Sequence, residues 1–461
     1  MSVWLYIVGG VAGALILGAV LLITWIKSFK RFQYAPLSKD AAHKLIRQGF
    51  NESRIPQPLD AIVIGSGIGG LTTAVVLARQ GKKVLVLEQH DVIGGCTHTF
   101  EEKGLSFDTG LHYIGGRVWD RNRRSEIRRL FDMVTDGTVE WQPTHVNDKE
   151  AFDVAVSLVN QDSFAFRGGF HKMRKDLEAR FPNEREAIDR YFKLIRRMNR
   201  LSPLGFAPKV LPTWLGNLVK LLPMYKEYKH YEGQTTREAL LKLTKDEELI
   251  GLLTYLHGDI GVPPSKSSFA IHCMVVDHYI PGAAYPIGGS ERLAVGAVQL
   301  IEKLGGKCLV RGPVGEILVE NGTAVGVRMQ RSGLEVRAPV VVSSAGVFNT
   351  FSKLLSTDAQ PYVSDALQAM KSGAVTPSVG HMYVFIALKG GQQDLKLPPY
   401  NTWAYYSIDH DRNSEEWHTK GPKLPLVAVQ RETADGVTIQ ADLIPTNGVF
   451  VSFPSAKDPT F

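Results

Sequence analysis

The chain has 461 residues, of which 44% are hydrophobic and 21% charged, so it can bury a large core and does not have the composition of a disordered protein. Its 53 basic and 46 acidic residues leave a net charge of +7, a mild excess that does not indicate nucleic-acid binding. The three cysteines, Cys96, Cys273 and Cys308, are too far apart for a metal-ligand or disulfide pattern, so we predict no metal site and expect buried thiols.

The N-terminal stretch is apolar enough to cross a membrane. No charged residue occurs from Trp4 to Ile26, and a helix of this length would span about 35 Å. No basic residue precedes the stretch, so residues 1–33 are predicted as a transmembrane anchor, with a cleaved signal peptide as the alternative. Lys27 and Lys30 follow it, and the positive-inside rule therefore orients the rest of the chain toward the cytosol.

Residues 34–58 are polar and contain several prolines, which predicts a linker ahead of a folded part that begins near Leu59. Residues 61–64 then form a short apolar run, residues 69–80 have apolar side chains at helical spacing, and residues 83–87 are again apolar and branched. This order predicts a strand, a helix and a second strand.

A glycine-rich turn joins the first predicted strand to the predicted helix. Gly65, Gly67 and Gly70 form the pattern GxGxxG, and Ser66 and Gly69 lie between them. The first glycine allows a tight turn, the second lets the backbone approach a pyrophosphate, and the third lets the helix pack closely on the sheet. The helix start would offer its N–H groups and positive dipole end to the phosphates, so all five residues are predicted cofactor contacts.

An acidic residue ends the second predicted strand. Glu88 follows the glycine turn at the spacing at which a carboxylate binds the hydroxyls of an adenosine ribose. Gly94 and Gly95 lie on the next loop, where the backbone can approach the flavin side of a pyrophosphate, so the pattern favours FAD over NAD. Gln89, next to Glu88, and Val314 complete the predicted cofactor contacts.

Residues 104–116 are dense in glycine and polar groups and lack the alternation of a buried strand. They predict a loop wrapped around a ligand, which closes the first part of an FAD-binding domain at residues 59–116. His112 and Tyr113 lie on this loop and are the candidate catalytic residues, since both side chains can act as proton donors.

Residues 117–280 are charge-rich and mostly helical in pattern, and are predicted as a helical cap or substrate domain. Within them, the segment from Leu201 to Tyr231 combines leucines, Trp214 and scattered lysines. This composition suits a segment that dips into a membrane surface, and it suits an ordinary packed cap equally well.

The FAD-binding domain is predicted to resume at residues 281–350, with a glycine turn at Gly288 and Gly289 and a tight hairpin turn at Asn321 and Gly322. A helix at 293–304 and a strand at 307–310 precede the hairpin. Residues 351–461 are predicted as the sheet of the substrate domain, with strands at 382–388, 403–407, 424–430 and 449–453.

Several motifs together resemble one known family. They are GGCTHTF at 94–100, FDTGLHYIG at 107–115, YPIGG at 285–289, VVVSSA at 340–345 and FPSAKDP at 453–459. In these motifs, and over nearly all of the chain after the predicted anchor, the sequence is similar to the all-trans-retinol 13,14-reductases, or retinol saturases. These belong to the carotenoid and retinoid oxidoreductases of the phytoene-desaturase type.

The resemblance implies an α/β fold, in which a Rossmann-like FAD-binding domain of the two-dinucleotide-binding type is interleaved with an α+β substrate domain after an N-terminal transmembrane helix. It implies FAD-dependent reduction of all-trans-retinol, or of a related polyene lipid, to 13,14-dihydroretinol at the endoplasmic reticulum membrane. NAD(P)H or a partner reductase would supply electrons. Saturation of the bond also needs a proton, which His112 or Tyr113 would donate.

The chain departs from the family pattern in one respect. Family members continue beyond the point that corresponds to Phe461 and carry a second flavin-contacting segment there, so we expect a C-terminally truncated chain. Three functions therefore stay open: retinol reduction, the reaction of a polyene desaturase, isomerase or amine oxidase on the same fold, and a catalytically silent membrane protein.

Overall fold

The computed structural model describes residue 32 and residues 37–121, 125–144, 150–158, 160–378, 380–381, 383–420 and 448–460. The predicted membrane anchor at 1–33 lies outside this part of the chain, apart from Phe32. Within the described residues, no helix combines the length and the apolar character needed to cross a bilayer.

Numbered in chain order, the strands are β1 (Ala61–Ile64), β2 (Val84–Leu87), β3 (Thr99–Glu102), β4 (Leu105–Asp108), β5 (Trp141–Pro143), β6 (Ala151–Ser157), β7 (Ser163–Arg167), β8 (Ala284–Pro286), β9 (Lys307–Leu309), β10 (Val314–Glu320), β11 (Thr323–Met329), β12 (Glu335–Arg337), β13 (Val340–Ser343), β14 (Asn401–Tyr405) and β15 (Gly448–Val451).

The α-helices are α1 (Lys39–Leu45), α2 (Ile68–Arg79), α3 (Glu126–Thr135), α4 (Phe170–Arg180), α5 (Arg185–Val210), α6 (Thr213–Leu221), α7 (Pro223–Glu232), α8 (Thr236–Leu241), α9 (Glu247–Leu253), α10 (His257–Ile260), α11 (Phe269–Tyr279), α12 (Arg292–Lys303), α13 (Val347–Asn349), α14 (Ser364–Lys371), α15 (Gln392–Leu395), α16 (His410–Lys420) and α17 (Pro454–Lys457). Short 3-10 turns occur at Glu52–Arg54, Gly95–Thr97, Pro182–Glu184 and Thr357–Val363, and a π-helical turn occurs at Thr350–Leu354.

The chain folds into two compact units. As far as they are described, residues 22–143, 284–396 and 454–461 form the first unit. Residues 1–21, 144–283 and 397–453 form the second, again as far as they are described.

The first unit is built on a parallel sheet with the strand order β13-β1-β2-β9. In the centre of the sheet, Ala61 of β1 pairs with Val340 on one side and with Val84 on the other. All residues of β1 and β2 are buried, which is typical of a parallel sheet that is covered on both faces. The strand, helix and strand predicted from the sequence are confirmed as β1, α2 and β2.

The two faces of this sheet pack against different layers. Ala61 and Val63 of β1 belong to a core that includes helices α2 and α12. Ile62 and Ile64 belong to a second core that includes Val327 of the antiparallel sheet β10-β11-β12. Successive side chains of a strand point to opposite faces, and burying each valine or isoleucine contributes about 1.5–3 kcal/mol, so β1 holds the two layers together.

The hairpin predicted after this sheet is confirmed. Strands β10 and β11 pair antiparallel and are joined at Asn321 and Gly322, which have φ values of +51° and +77°. Two successive residues with positive φ make the turn whose twist matches that of the flanking strands. The predicted helix and strand before the hairpin are α12 and β9.

The second unit contains a mixed sheet with the order β15-β14-β6-β7 and helices α4 to α11 and α16. Strands β14 and β6 are parallel, while the outer pairs are antiparallel. Buried Asp153 of β6 accepts hydrogen bonds from Tyr255 Oη and Asn401 Nδ2, both at 3.1 Å, so each oxygen of this internal carboxylate has a donor.

Residues 34–58, predicted as a linker, include helix α1, whose Ala42 and the following Ile46 are fully buried in the core of the first unit. The linker was predicted from the polar composition of this segment, and composition alone does not reveal that two apolar side chains lie on one face of a helix. The loop predicted at 104–116 begins with strand β4, which pairs with β3. Strand β4 is only partly buried, so its sequence lacks a clear alternation.

Two predicted strands of the second sheet are absent or undescribed. Residues 383–388 form no strand, and residues 424–430 and Met382 lie outside the described part of the chain. The predicted strands at 403–407 and 449–453 correspond to β14 and β15. Their partners β6 and β7 come from the region predicted to be helical.

The boundaries of the two compact units also differ from the predicted domain boundaries. The first unit extends to residue 143 rather than 116, because Met133 and Val134 of α3 are buried in the same core as α12. It continues from 284 to 396, whereas the sequence predicts a change at 350.

Candidate functional site

The glycine turn between β1 and α2 has the backbone that its sequence predicts. Gly65 has a φ of +92°, a conformation that strains any other residue. A Cβ atom on Gly70 would lie 2.1 Å from the carbonyl oxygen of Gly65, so this glycine lets the first turn of α2 approach β1 closely. A Cβ on Gly67 would meet no protein atom within 4 Å, so the protein itself does not need glycine there and the space is open to a ligand.

A second glycine pair lies against this turn. Gly94 and Gly95 have φ values of +133° and +55°, and Gly94 forms a parallel bridge with Gly67. A Cβ on Gly95 would lie 2.9 Å from the Cα of Gly67. The two glycine loops therefore meet backbone to backbone, without side chains between them.

Glu88 lies beside these loops as a buried carboxylate. Its Oε2 accepts hydrogen bonds from the N–H and the hydroxyl of Ser66 at 3.0 and 2.5 Å, and its Oε1 accepts one from the N–H of His90 at 3.0 Å. Burial raises the pKa of the carboxyl, but the hydrogen bonds from His90 and Ser66 outweigh it and hold the pKa below its ordinary value. Glu88 is therefore ionised at neutral pH. Ser66 Oγ also accepts a hydrogen bond from Gly94 at 3.2 Å, which ties the two loops together.

These residues fit a dinucleotide. Gly67 has open space at the start of α2, where the N–H groups and the helix dipole favour phosphate, and the backbone of Gly95 packed against it is exposed. The His90 ring also contacts Glu88 Oε1, at 2.8 Å, and its side chain is 69% exposed, so it can turn away and leave that oxygen to a ribose hydroxyl. Ser66 would stay as the buried partner that orients the carboxylate.

The remaining predicted cofactor contacts lie at the edge of this site. Gln89 is exposed, and Gly69 is exposed in the first turn of α2. Val314 begins β10, two residues after Gly312, whose N–H donates to the carbonyl oxygen of Glu88 at 2.9 Å. Contact of these residues with a cofactor stays a prediction. Cys96, expected to be a buried thiol, is exposed next to Gly95 because the glycine loop turns outward there.

A buried polar network joins two of the motifs. Asp108 of β4 accepts hydrogen bonds from the hydroxyl groups of Tyr285 and Ser290, the latter at 2.6 Å. Burial raises the pKa of Asp108, and the bonds from Ser290 and Tyr285 oppose that rise. Burial, followed by the nearby Asp108, also raises the pKa of Tyr285, so its hydroxyl stays protonated. The network fixes the start of the loop that carries the candidate catalytic residues.

Lys457 brings the end of the described chain to the same loop. Its side chain is almost completely buried, its Nζ donates to the carbonyl oxygen of His112 at 3.0 Å, and Nζ lies 5.7 Å from the centre of the Tyr113 ring. The adjacent Asp458 accepts a hydrogen bond from the N–H of Gly288 at 2.7 Å. A buried lysine is rare unless it has partners, so this cation is a functional candidate.

The surroundings of His112 decide its charge. Burial, and then the positive charge of Lys457, lower the pKa of the imidazole to about 4. The His112 imidazole is therefore uncharged at pH 7 and a poor proton donor. A catalytic role for His112 or Tyr113 stays a prediction.

The motif at 453–459 contains Lys457, but nothing in the local sequence shows that a lysine at this position is buried. Likewise, no local pattern shows that Asp108, Tyr285 and Ser290 form a buried network. The sequence did offer one indication of these contacts. An acid, a phenol and a lysine, each able to form buried hydrogen bonds, occur in three of the motifs that the chain shares with the resembled family.

The second unit contains a cavity of about 130 Å³, lined among others by Phe164, Tyr255, Tyr405 and His410. Sites for drug-sized ligands usually measure roughly 300–1,000 Å³. This cavity is too small for a molecule of the size of retinol.

Comparisons with known proteins agree with this geometry. Residues 63–132 match the family model described as an NAD(P)-binding Rossmann-like domain, which includes the glycine turn and Glu88. An all-trans-retinol 13,14-reductase from Macaca fascicularis is 37% identical over 440 residues, which are 93% of this chain and 67% of that protein. The chain belongs to the all-trans-retinol 13,14-reductase family. The resemblance predicted from the motifs is confirmed, and the chain is an oxidoreductase with a Rossmann-like domain.

Two further relatives show the breadth of the likeness. A protein from Danio rerio named inactive all-trans-retinol 13,14-reductase is 33% identical over 441 residues, covering 92% of this chain and 67% of that protein. The chloroplastic prolycopene isomerase of Daucus carota is 28% identical over 361 residues, covering 77% of this chain and 56% of that protein. The retinol 13,14-reductase family thus has a relative named for polyene isomerisation and one named as inactive.

Proposed function

We propose that the chain binds FAD at the two glycine loops. The observation that carries this proposal is the open space at Gly67, with the exposed backbone of Gly95 packed against it, beside the buried, ionised Glu88. A pyrophosphate needs close backbone approach and an adenosine ribose needs a carboxylate, and both lie together here. The second glycine pair favours FAD over NAD, because it extends the open backbone beyond the loop that a single glycine motif provides.

We further propose that the reaction is reduction of the 13,14 double bond of all-trans-retinol to 13,14-dihydroretinol. The product gains two electrons and two protons relative to the substrate, and NAD(P)H or a partner reductase is the proposed source of the electrons. Reduced FAD, when bound, supplies the hydride equivalent. The family membership supports this substrate, since retinol reduction is the reaction named in the relatives.

The chain's own residues have two tasks in this proposal. Lys457 holds the loop of His112 and Tyr113 through the carbonyl oxygen of His112, and its positive charge adds to the burial that keeps the imidazole neutral. The remaining proton of the reaction is proposed to come from Tyr113 or from Lys457 rather than from His112, because the lowered pKa of His112 keeps its imidazole uncharged at pH 7. The proposed location is the endoplasmic reticulum membrane, into which retinol partitions.

The first experiment is an absorbance spectrum of the detergent-purified chain. Bound flavin gives bands near roughly 370 and 450 nm that bleach on anaerobic reduction. Reduced protein is then mixed with all-trans-retinol, oxidised protein is mixed separately with a carotenoid or an amine, and the products are analysed. Formation of 13,14-dihydroretinol supports the proposal, whereas reduction of the flavin by a carotenoid or an amine identifies an oxidising enzyme of the same fold.

A glycine variant separates cofactor binding from folding. Gly67→Ala adds a methyl group to open space, so it is expected to leave the urea midpoint unchanged and to weaken FAD binding at least about tenfold. Equal FAD affinity in Gly67→Ala and wild type would refute the assigned site. A folded chain that FAD cannot reconstitute would mean that this chain is catalytically silent.

A further inference from the structure

The helices at the edge of the second unit carry large apolar side chains on their solvent side. Phe206 and Val210 of α5, Trp214 and Leu221 of α6, and Met224 of α7 are 42%, 80%, 66%, 51% and 44% exposed. These five residues are named the apolar cap surface. Apolar groups grouped in this way on a soluble surface are typical of an interaction site.

The apolar cap surface is not needed to hold its own helices together. Ala207, Val219 and Leu222 form a separate buried cluster between α5, α6 and α7. Gly216 lies on the inner side as well, since a Cβ there would be 3.1 Å from the Cα of Pro208. The helices therefore pack through small and apolar inner residues, and their exposed apolar side chains are left for a partner.

The charge around this surface is mostly positive. No aspartate or glutamate occurs from residue 190 to residue 226, and Lys209, Lys220 and Lys226 are exposed on α5, α6 and α7. Glu227, the next residue of α7, is paired with Arg197. Lys209 Nζ lies 5.4 Å from the centre of the Phe206 ring, so the stem of this lysine follows the apolar surface while its ammonium reaches water. A partner that complements this region would offer apolar groups to the exposed apolar side chains and negative charges to the lysines around them.

We propose that the apolar cap surface docks on the anionic face of a lipid bilayer. Phe206, Val210 and Leu221 would enter the boundary of the acyl chains, Trp214 would lie at the headgroups, and the lysines would contact anionic lipid. Helix α6 has nine residues and a length of about 14 Å, which is too short to cross a bilayer, so the proposal places it in the plane of the surface. This inference goes beyond the proposed function and holds without it, because it uses no residue of the candidate active site.

The test uses the fluorescence of Trp214 in the full chain reconstituted into vesicles. The vesicles contain phosphatidylcholine with about 30 mol% phosphatidylserine, with or without brominated acyl chains, which quench tryptophan on contact. The chain has seven tryptophans, so the contribution of Trp214 is taken as the difference between wild type and Trp214→Phe. Trp4 and Trp25 of the apolar N-terminal stretch are the same in both proteins and cancel. We expect brominated lipid to remove at least half of the Trp214 signal.

A charge variant tests the choice of partner. Replacing Lys209, Lys220 and Lys226 together by glutamine is expected to reduce the quenching at least twofold, and vesicles of phosphatidylcholine alone should reduce it similarly for wild type. The matched control replaces three exposed lysines of the same unit that lie outside α5, α6 and α7, namely Lys242, Lys245 and Lys266. The control is expected to leave the quenching unchanged.

Two results would overturn the inference. The first is a Trp214 signal that brominated lipid leaves intact although acrylamide in water still quenches it, since the side chain would then stay in solvent. The second is shielding of Trp214 that grows with protein concentration in lipid-free detergent solution, which would assign the surface to contact between copies of the chain. Neither result depends on flavin binding or turnover, so failure here is distinguishable from failure of the proposed function.

Discussion

Replacing Gly70 by alanine is expected to destabilise the first unit, although alanine is the better helix former. In the middle of a helix the exchange would stabilise by about 1 kcal/mol. Here the new Cβ would lie 2.1 Å from the carbonyl oxygen of Gly65 and 3.2 Å from the Cβ of Ser344. Gly65 lies in the tight turn, and Ser344 directly follows strand β13. To relieve both contacts, the start of α2 must move away from the sheet.

The size of the effect follows from this clash. Overpacking of a well-packed site costs about 1–3 kcal/mol, and contact with backbone leaves no flexible side chain to yield. We therefore expect Gly70→Ala to lose about 2 kcal/mol or more in the free energy of unfolding. Gly69→Ala is the matched control, because its Cβ would meet Ser344 Oγ at 3.6 Å, an ordinary contact. This neighbour should be as stable as wild type or gain up to about 1 kcal/mol.

Urea denaturation followed by circular dichroism measures both variants, with the transition of the first unit fitted separately if the two units unfold apart. The same proteins are titrated with FAD, and Gly70→Ala is expected to bind more weakly because the shifted helix start no longer presents its N–H groups. If Gly70→Ala were as stable as Gly69→Ala, the close approach of α2 to Gly65 would be wrong. The assigned role of the third glycine of the motif would then fail.

Three further variants test the surroundings of the site. Lys457→Met is expected to raise the pKa of His112 from about 4, although burial, the larger cause, keeps it below its ordinary 6.5; NMR titration of the imidazole measures the change. The folded-state pKa of Glu88 is below its ordinary value of 4.5, so ionised Glu88 stabilises the fold above that pH, and this stabilisation is lost as the pH falls through the folded pKa. Glu88→Gln lacks this contribution, so its free energy of unfolding is expected to fall less steeply in acid than that of wild type. Urea midpoints of both proteins, measured from about pH 6 to about pH 3, give this pH dependence of stability. Asp108→Asn is expected to cost about 2–3 kcal/mol in unfolding free energy, because an amide group cannot accept the bonds of Tyr285 and Ser290 on both of its atoms.

Each of these variants has a contradicting result. Lys457→Arg keeps the positive charge and should keep the low pKa of His112, so an equal rise in both lysine variants would show that packing rather than charge is the cause. An acid limb that is the same in Glu88→Gln and wild type would mean that Glu88 is not held as a carboxylate. Full stability of Asp108→Asn would mean that the buried hydrogen-bond network is absent.

The sequence alone determined the elements whose cause is local. Residues 61–64 and 84–87 had to be buried strands because every side chain in them is apolar, and α2 follows from apolar residues at helical spacing. Gly65 and the turn at Asn321 and Gly322 follow from the positive φ that few residues adopt. The two glycine loops and the position of Glu88 beside them could therefore be predicted, since these residues lie within about thirty residues of one another and their spacing carries the geometry.

Only the tertiary structure decided the contacts between distant parts of the chain. Lys457 meets His112 across 345 residues, and Tyr285 meets Asp108 across 177, and no periodicity encodes such pairs. The same limit explains why residues 34–58 were predicted as a linker although they contain helix α1. The buried face of this helix can be recognised only when the core that it packs against is known. Local patterns specify which segments can be buried, but the folded core decides which of them are buried together and which charges they enclose.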